Sequence, residues 1–507
     1  MEQSVNTNLK LVKDTLTLAE KYENAANIVG FDLETICPEK AMEHQGETAS
    51  FLSNEAYKLI KSEEFIAAAE SLYENRLGGE GACLEDRLTA KLAEYLHEDY
   101  GKIKNITPEE DLEYSRIFNQ AYIDWLNAKN ASDFSLFRPS LEKVIEVEKK
   151  IVSKYEVQGD TPYDTLLNDY ERGLTSADLD EYFGACKERL LPLLERIKAS
   201  KKEIRTDFLS RPSTEEQQKN FARYLLEVIG YDFTRGAFTT TEHPFTSELA
   251  RDDVRVTTNY RDDISSSMYS IVHEGGHTLF GQLQPDVHHD YFIADRMTMG
   301  MHESVSRFYE NRIGRSEAFI SLIYPEMKKI FPGNLAGVSE RELFEAVNLV
   351  TPSLIRTESD EFTYTLHVII RYEIEKQIVN EGLAVEKIPA LWNQKYQEYL
   401  GITPPDDRRG VLQDVHWSGG FGYFPTYAIG NLYNSMYYNR MAQDFDVAAA
   451  VAAGDFARVN GWMAEHVFAS ANLLKPKEWI VGITGRELTP DDFLTYLEEK
   501  FGDLYEL

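Results

Sequence analysis

Cysteine is scarce in this 507-residue chain: Cys37, Cys83 and Cys186 are odd in number, far apart and outside any C-x-x-C pair. No disulfide framework is therefore implied. Long hydrophobic runs are missing too, and the longest small-apolar run, Val447 to Ala453, is too short to span a bilayer. The start, Met1-Glu2-Gln3-Ser4, has neither a basic region nor an apolar stretch, which excludes a secretory signal there. Basic charge is in deficit: 53 Lys and Arg face 85 Asp and Glu, a formal charge of −32 that argues against nucleic-acid binding. Gly/Ser-rich or Pro-rich linkers and repeats of solenoid length are also absent. Length alone favours more than one domain. Without a linker the chain instead predicts one large cytoplasmic unit over residues 1–507, with no nucleic-acid or membrane partner.

Helix-start signals are abundant. Thr107-Pro108-Glu109-Glu110 combines an N-cap, a proline at the first helical position and a capping-box glutamate. Thr175 with Asp178 and Ser339 with Glu342 follow the same spacing, and Thr489-Pro490 opens a final helix. Apolar residues recur at three and four, as in Leu190, Leu191, Leu193, Leu194 and Ile197, so the fold is predicted to be predominantly helical. One stretch departs from this. From about Ala237 to Tyr260, short alternations of Thr, Val and Phe are broken by Pro244 and by Asp252-Asp253. A strand there places Asp253, Arg255 and Thr257 on one face and Val254 and Val256 on the other. A small antiparallel sheet is expected, and an edge strand can hold an extended peptide by main-chain hydrogen bonds.

Immediately after it comes His273-Glu274-Gly275-Gly276-His277. On a helix, positions i and i+4 share a face, so both imidazoles reach one metal ion, and Glu274 is placed to take a proton from water. A hydrolytic metal site needs a third protein ligand and an open fourth position. Leu283, Met297 and Arg296 stand where the familiar spacings require a histidine or glutamate. Glu303 is the one glutamate between His277 and Glu310, in a segment whose Phe308, Tyr309 and Ile313 form a helical stripe. His273, His277 and Glu303 are thus the expected ligands, from two packed helices. His288, His289, Asp295 and His302 are competing candidates. The His288-His289 pair sits among Pro285, Asp286 and Asp290 in what reads as an exposed turn. His302 lies about 100° around the helix from Glu303 and is not expected to share its ion. Gly275 and Gly276 each cost about 1 kcal/mol in a helix interior, which points to close approach of a neighbouring strand or substrate backbone.

His243-Pro244-Phe245, Asp253-x-Arg255-x-Thr257, the metal motif, His302-Glu303-Ser304, Ile355-Arg356-x-x-x-Asp360 and Gly422-Tyr423-Phe424-Pro425-Thr426-Tyr427 stand in one order. In that order they resemble the carboxypeptidase Taq family of zinc metallocarboxypeptidases. Val305 replaces a glutamine of the pattern, Ser359 an alanine, and Phe31-Asp32 a Trp-Asp. No departure removes a ligand or the proposed base. The resemblance implies an all-α fold of two lobes around a deep groove, related to angiotensin-converting and thimet-type peptidases. It also implies one Zn²⁺ per subunit, a homodimer, and release of single C-terminal residues from peptides. Histidine and carboxylate ligands equally accept Co²⁺ or Mn²⁺.

Three roles remain to be filled. An oxyanion donor is expected at Tyr427, whose loop resembles the tyrosine-bearing loop of thimet-type peptidases, with Tyr423 as the alternative and His416 positioning substrate. Gly419, Gly420 and Gly422 give that loop the makings of a hinge. A terminal carboxylate is best met by a guanidinium fork, which nominates Arg356, with Asp360 one helical turn away to orient it. His243 and Arg255 are candidates for the groove lining. Two other readings stay open: an oligopeptidase or dipeptidyl carboxypeptidase with the same metal chemistry, and a non-enzymatic helical binding protein.

Overall fold

A computed structural model describes residues 2–75 and 83–507 of the chain. Helices make up nearly all of the regular structure, with three short strands in the middle of the chain. The capping boxes at Thr107, Thr175 and Ser339 close as their spacing predicts, each hydroxyl accepting from the third helical N–H. Thr161 with Asp164 and Thr214 with Gln217 form two more. The three cysteines are free. Among the described residues no helix is long and apolar enough to cross a membrane.

Two apolar clusters hold these helices. The larger runs from Ala121 to Tyr505 and takes in Val272, Leu279, Val305, Phe308 and Ile429 around the metal motif. The smaller joins Val12, Phe65, Leu72, Leu88 and Leu92 of the N-terminal helices to Ile293. Each fully buried Leu, Val or Phe contributes about 1.5–3 kcal/mol, so the elements carrying the motif are among the most firmly seated. Between the N-terminal helices and the sheet lies a cavity of about 490 Å³, lined in part by Glu20, Glu23, Glu248, Leu249, His289 and Asp295.

The sheet consists of β1 (Phe238–Thr240), β2 (Thr246–Ala250) and β3 (Asp253–Thr258), in the order β1-β3-β2. β2 pairs antiparallel with β3, but β1 pairs parallel with it, Phe238 opposite Val256. The sheet is therefore mixed, which corrects the antiparallel expectation. Alternation shows which residues face inward but not which strand is central; here β3 inserts between β1 and β2. Val254 and Val256 are fully buried as the pattern requires. Thr257 is buried as well, its hydroxyl bonded to the backbone of Phe245. β2 is left as an edge strand.

Candidate metal centre

The motif helix, Ile264–Leu283, starts at Asp263, whose side chain accepts from the Ser265 N–H. It carries His273, Glu274 and His277, and its glycines explain how a second helix comes close enough to complete a site. A Cβ on Gly276 would stand 2.7 Å from Ser306 Cα and 3.0 Å from the Val305 oxygen. Those atoms belong to the helix Met299–Arg307, which carries Glu303. The close neighbour is thus another helix, not the strand or substrate backbone expected. Gly430, in the helix Phe424–Asp444, makes a similar contact, its absent Cβ 2.9 Å from Ser304 N and 3.1 Å from Glu303 C. Gly276→Ala should therefore push the two ligand-bearing helices apart. We expect a loss of about 1–3 kcal/mol in unfolding free energy and weaker metal retention against a chelator. A variant with unchanged stability and retention would show that the contact does not set the site.

Glu303 Oε2 lies 3.6 Å from His273 Nε2 and 3.5 Å from His277 Nε2. One donor atom from each of the three side chains falls within 4.8 Å of the others. Ligands at 2.0–2.1 Å around a tetrahedral Zn²⁺ are separated by roughly 3.3 Å, so the set fits a single cation with small adjustments. Among the described residues no fourth His, Cys, Asp or Glu joins the group. Glu303 is buried while both imidazoles keep part of their surface open, which leaves one side for water and substrate.

Each donor is held by a partner behind it that no spacing in the sequence signals. His273 Nδ1 lies 2.8 Å from Glu310 Oε2, on a π-helical turn, Phe308–Ile313, that continues the Glu303 helix. That carboxylate takes the Nδ1 hydrogen and turns the Nε2 lone pair toward the site. His277 Nδ1 lies 2.6 Å from His302 Nδ1. With His277 presenting Nε2 to an ion, its Nδ1–H donates and His302 accepts. Burial and the neighbouring His277 lower the His302 pKa to about 3, keeping it a neutral acceptor. His302 is thus no competitor for the ion. Arg307 Nε donates to Glu303 Oε1 at 2.8 Å, and Ser306 Oγ donates to Glu303 Oε2 at 3.0 Å. Burial would raise the Glu303 carboxyl, but His273 and Arg307 outweigh it and hold the pKa well below the carboxylate range. Burial pulls His273 down; Glu303 and Glu310 prevail and raise it to about 8.

Glu274, half-buried like His273 before it, meets the sheet. Thr246 Oγ1, at the start of β2, donates to Glu274 Oε2 at 2.8 Å. β2 then runs from this contact to Glu248 and Leu249 in the cavity wall. Thr246 thus joins the edge strand directly to the Glu274 side chain.

Arg356, Tyr427, Tyr423 and His416 come together in an aromatic cluster. Tyr427 precedes Gly430 by one helical turn, on the face that touches Glu303. His416 Nε2 is 3.2 Å from the Tyr427 hydroxyl, and the Tyr423 and Tyr427 rings meet edge-on at 5.1 Å. Arg356 is buried, its guanidinium 4.6 Å from the Tyr427 ring centre. It sits in a 3₁₀ turn, Arg356–Glu358, so the helical spacing assumed for Asp360 does not apply. Asp360 instead accepts from the N–H groups of Thr351 and Thr363. The orienting carboxylate is Asp414, whose Oδ1 accepts from Arg356 Nε and Nη2 at 3.1 and 3.0 Å. Burial opposes its ionisation, but Arg371 and Arg356 hold Asp414 well below the carboxylate range.

The remaining candidates lie elsewhere. Arg255 is paired with Asp253 at 2.8 and 2.7 Å and sits over Phe31 of the N-terminal helix Glu2–Thr35. His243 is exposed in the bend between β1 and β2. His288 is not in an exposed turn: it lies in a short helix, Asp286–Asp290, 1 % exposed and bonded to Asn472. Burial and the neighbouring His289 lower it to about 4. Asp295 is exposed at the rim of the cavity, its carboxylate 3.4 Å from Arg296 Nε.

Comparison with known proteins gives a consistent result. Residues 11–501 match the family model of carboxypeptidase Taq (M32) metallopeptidases. The chain is 37% identical to carboxypeptidase 1 of Bacillus subtilis over 506 residues, covering 99% of this chain and all of that one. Thermostable carboxypeptidase 1 of Thermus thermophilus is 33% identical over 94% of this chain and 95% of its own length. The crystal structure of an M32 carboxypeptidase from Deinococcus radiodurans superposes with a TM-score of 0.94 at 32% identity, over 99% of this chain and 100% of that one.

Proposed function

Since the chain belongs to the carboxypeptidase Taq (M32) family of metallopeptidases, and is thereby a metal-dependent peptide hydrolase, we propose that it removes single residues from peptide C-termini using one Zn²⁺ held by His273, His277 and Glu303. Co²⁺ or Mn²⁺ can fill the same site. We further place it in the cytoplasm as a homodimer, acting on peptides, with residues 1–507 as one catalytic unit. The convergence of two imidazoles and one carboxylate, with a side left open, carries this reading.

A divalent cation at that point supplies a Lewis acid that acidifies water and polarises the scissile carbonyl. Glu274 takes the proton of the attacking water and passes it to the leaving amine. Thr246 holds the Glu274 carboxylate in place, and the edge of β2 offers backbone groups to the extended peptide. Tyr427 donates to the developing oxyanion. Burial raises its pKa, so the hydroxyl keeps its hydrogen. For that hydrogen to face substrate, His416 must donate through Nε2; its Nδ1, buried with no hydrogen-bond partner among the described residues, suits this tautomer.

Arg356 receives the terminal carboxylate. A guanidinium has five N–H donors. Two go to Asp414 and one to the Tyr364 hydroxyl at 3.2 Å. Among the described residues one N–H on each terminal nitrogen has no further partner, a pair of donors that a carboxylate can accept. This favours a carboxypeptidase over an oligopeptidase, for which no such anchor is needed. We expect Arg356→Ala to lower the kcat/KM ratio of free-acid to C-terminally amidated peptide by about a hundredfold. An unchanged ratio, or dipeptides as the main product of the parent enzyme, would refute the assignment.

Metal binding should depend on pH through His273. In the metal-free protein this group is protonated below about pH 8, and an ion must displace that proton. Affinity should fall about tenfold per unit below pH 8 and level off above it. Calorimetry in buffers of different ionisation enthalpy should show about one proton released per ion at pH 7 and none near pH 9.

A further inference from the structure

Tyr364 is the first residue of the helix Tyr364–Glu381 and is 4 % exposed. Its two ends serve two different arginines. The guanidinium of Arg307 lies 3.9 Å from the centre of the Tyr364 ring, and Arg307 Nε donates to the outer oxygen of Glu303. At the other end the Tyr364 hydroxyl accepts from Arg356 Nη1 at 3.2 Å. One arginine belongs to the metal-ligand group, the other to the carboxylate anchor. A phenol has two side-chain torsions, so it fixes this spacing at small entropic cost.

The hydroxyl has a second use. A tyrosine that accepts one hydrogen bond keeps its own hydrogen, and among the described residues no hydrogen bond from the Tyr364 hydroxyl to an acceptor is found. The Tyr364 oxygen is 3.2 Å from Arg356 Nη1, so its hydrogen lies beside the free donors of Arg356.

Building on the reading of Arg356 above, we propose that Tyr364 determines exopeptidase specificity: its ring pins Arg307, and its hydroxyl pins Arg356 and donates to the terminal carboxylate. The distance from the anchor to the metal ligands then passes through one rigid side chain. Its length confines cleavage to the last peptide bond.

The test compares Tyr364→Phe, Tyr364→Leu and Arg356→Ala with the parent, on one peptide as free acid and as C-terminal amide. Metal affinity is measured in parallel by chelator competition. Tyr364→Phe keeps the ring, so metal affinity should hold. KM for the free acid should rise about tenfold, with kcat changing less and the amide unaffected. Tyr364→Leu removes the ring under Arg307 and should also weaken metal binding about tenfold. Both substrates are compared within one preparation, so partial misfolding cancels from the ratio. If Tyr364→Phe keeps the parental ratio while Arg356→Ala lowers it, Tyr364 merely packs and the proposal is overturned. If Arg356→Ala also leaves the ratio unchanged, the carboxylate anchor is wrong and the proposal falls with it.

Discussion

Glu274→Gln is expected to lower kcat by about 10²–10⁴-fold with no loss of bound metal. The substitution is nearly isosteric. Thr246 can still donate its one hydrogen to an amide oxygen at the position of Glu274 Oε2 or share it with the Glu274 main-chain oxygen, 3.0 Å away. Fold and ligand set are therefore preserved while the group that accepts a proton is gone. Metal per protein by mass spectrometry and single-turnover rates on one peptide separate the two effects. Normal turnover in the fully loaded variant would remove Glu274 from the reaction.

Glu303→Ala acts in the opposite way. It takes a ligand from the ion and leaves Arg307, itself largely buried, with Glu310 as its remaining carboxylate at 3.1 Å. Removing only an outer partner of a metal ligand costs about 10–100-fold in affinity. Loss of the ligand itself should exceed a hundredfold, and Glu310→Gln should fall between it and the parent. Breaking a buried ion pair costs about 3–5 kcal/mol. Denaturant unfolding of the metal-free variant should show that loss on its own. A variant that is less stable yet binds metal as tightly as the parent would mean that Glu303 is only a structural partner of Arg307.

The contrast between these residues shows what a sequence can carry. His273 and His277 were legible because one helical turn forces them onto a common face, whatever packs around them. Glu303 followed by elimination, being the one glutamate before Glu310. Glu310 itself went unread as a partner, since the π-helical turn that brings it to His273 has no signature in the residue pattern. Asp414 was invisible for a plainer reason: 58 residues separate it from Arg356, and only tertiary packing joins them. Asp360 is not the partner of Arg356 because the i,i+4 spacing brings two side chains together only on an α-helix, and this segment is a 3₁₀ turn. The sheet shows the same limit. Its inward face was readable from alternating valines, but its strand order depends on a pairing that alternation does not encode. The glycines of the motif signal close approach, and the close neighbour of Gly276 is the helix that carries Glu303.

Soaking a crystal of the metal-free protein in a zinc salt and collecting anomalous data at the zinc edge tests the whole account most directly. The expected map has one strong peak bonded to His273 Nε2, His277 Nε2 and a Glu303 carboxylate oxygen, with a solvent oxygen completing the sphere on the Glu274 side. A peak closed off by a fourth side chain, or one that leaves Glu303 bound to Arg307 alone, would contradict it.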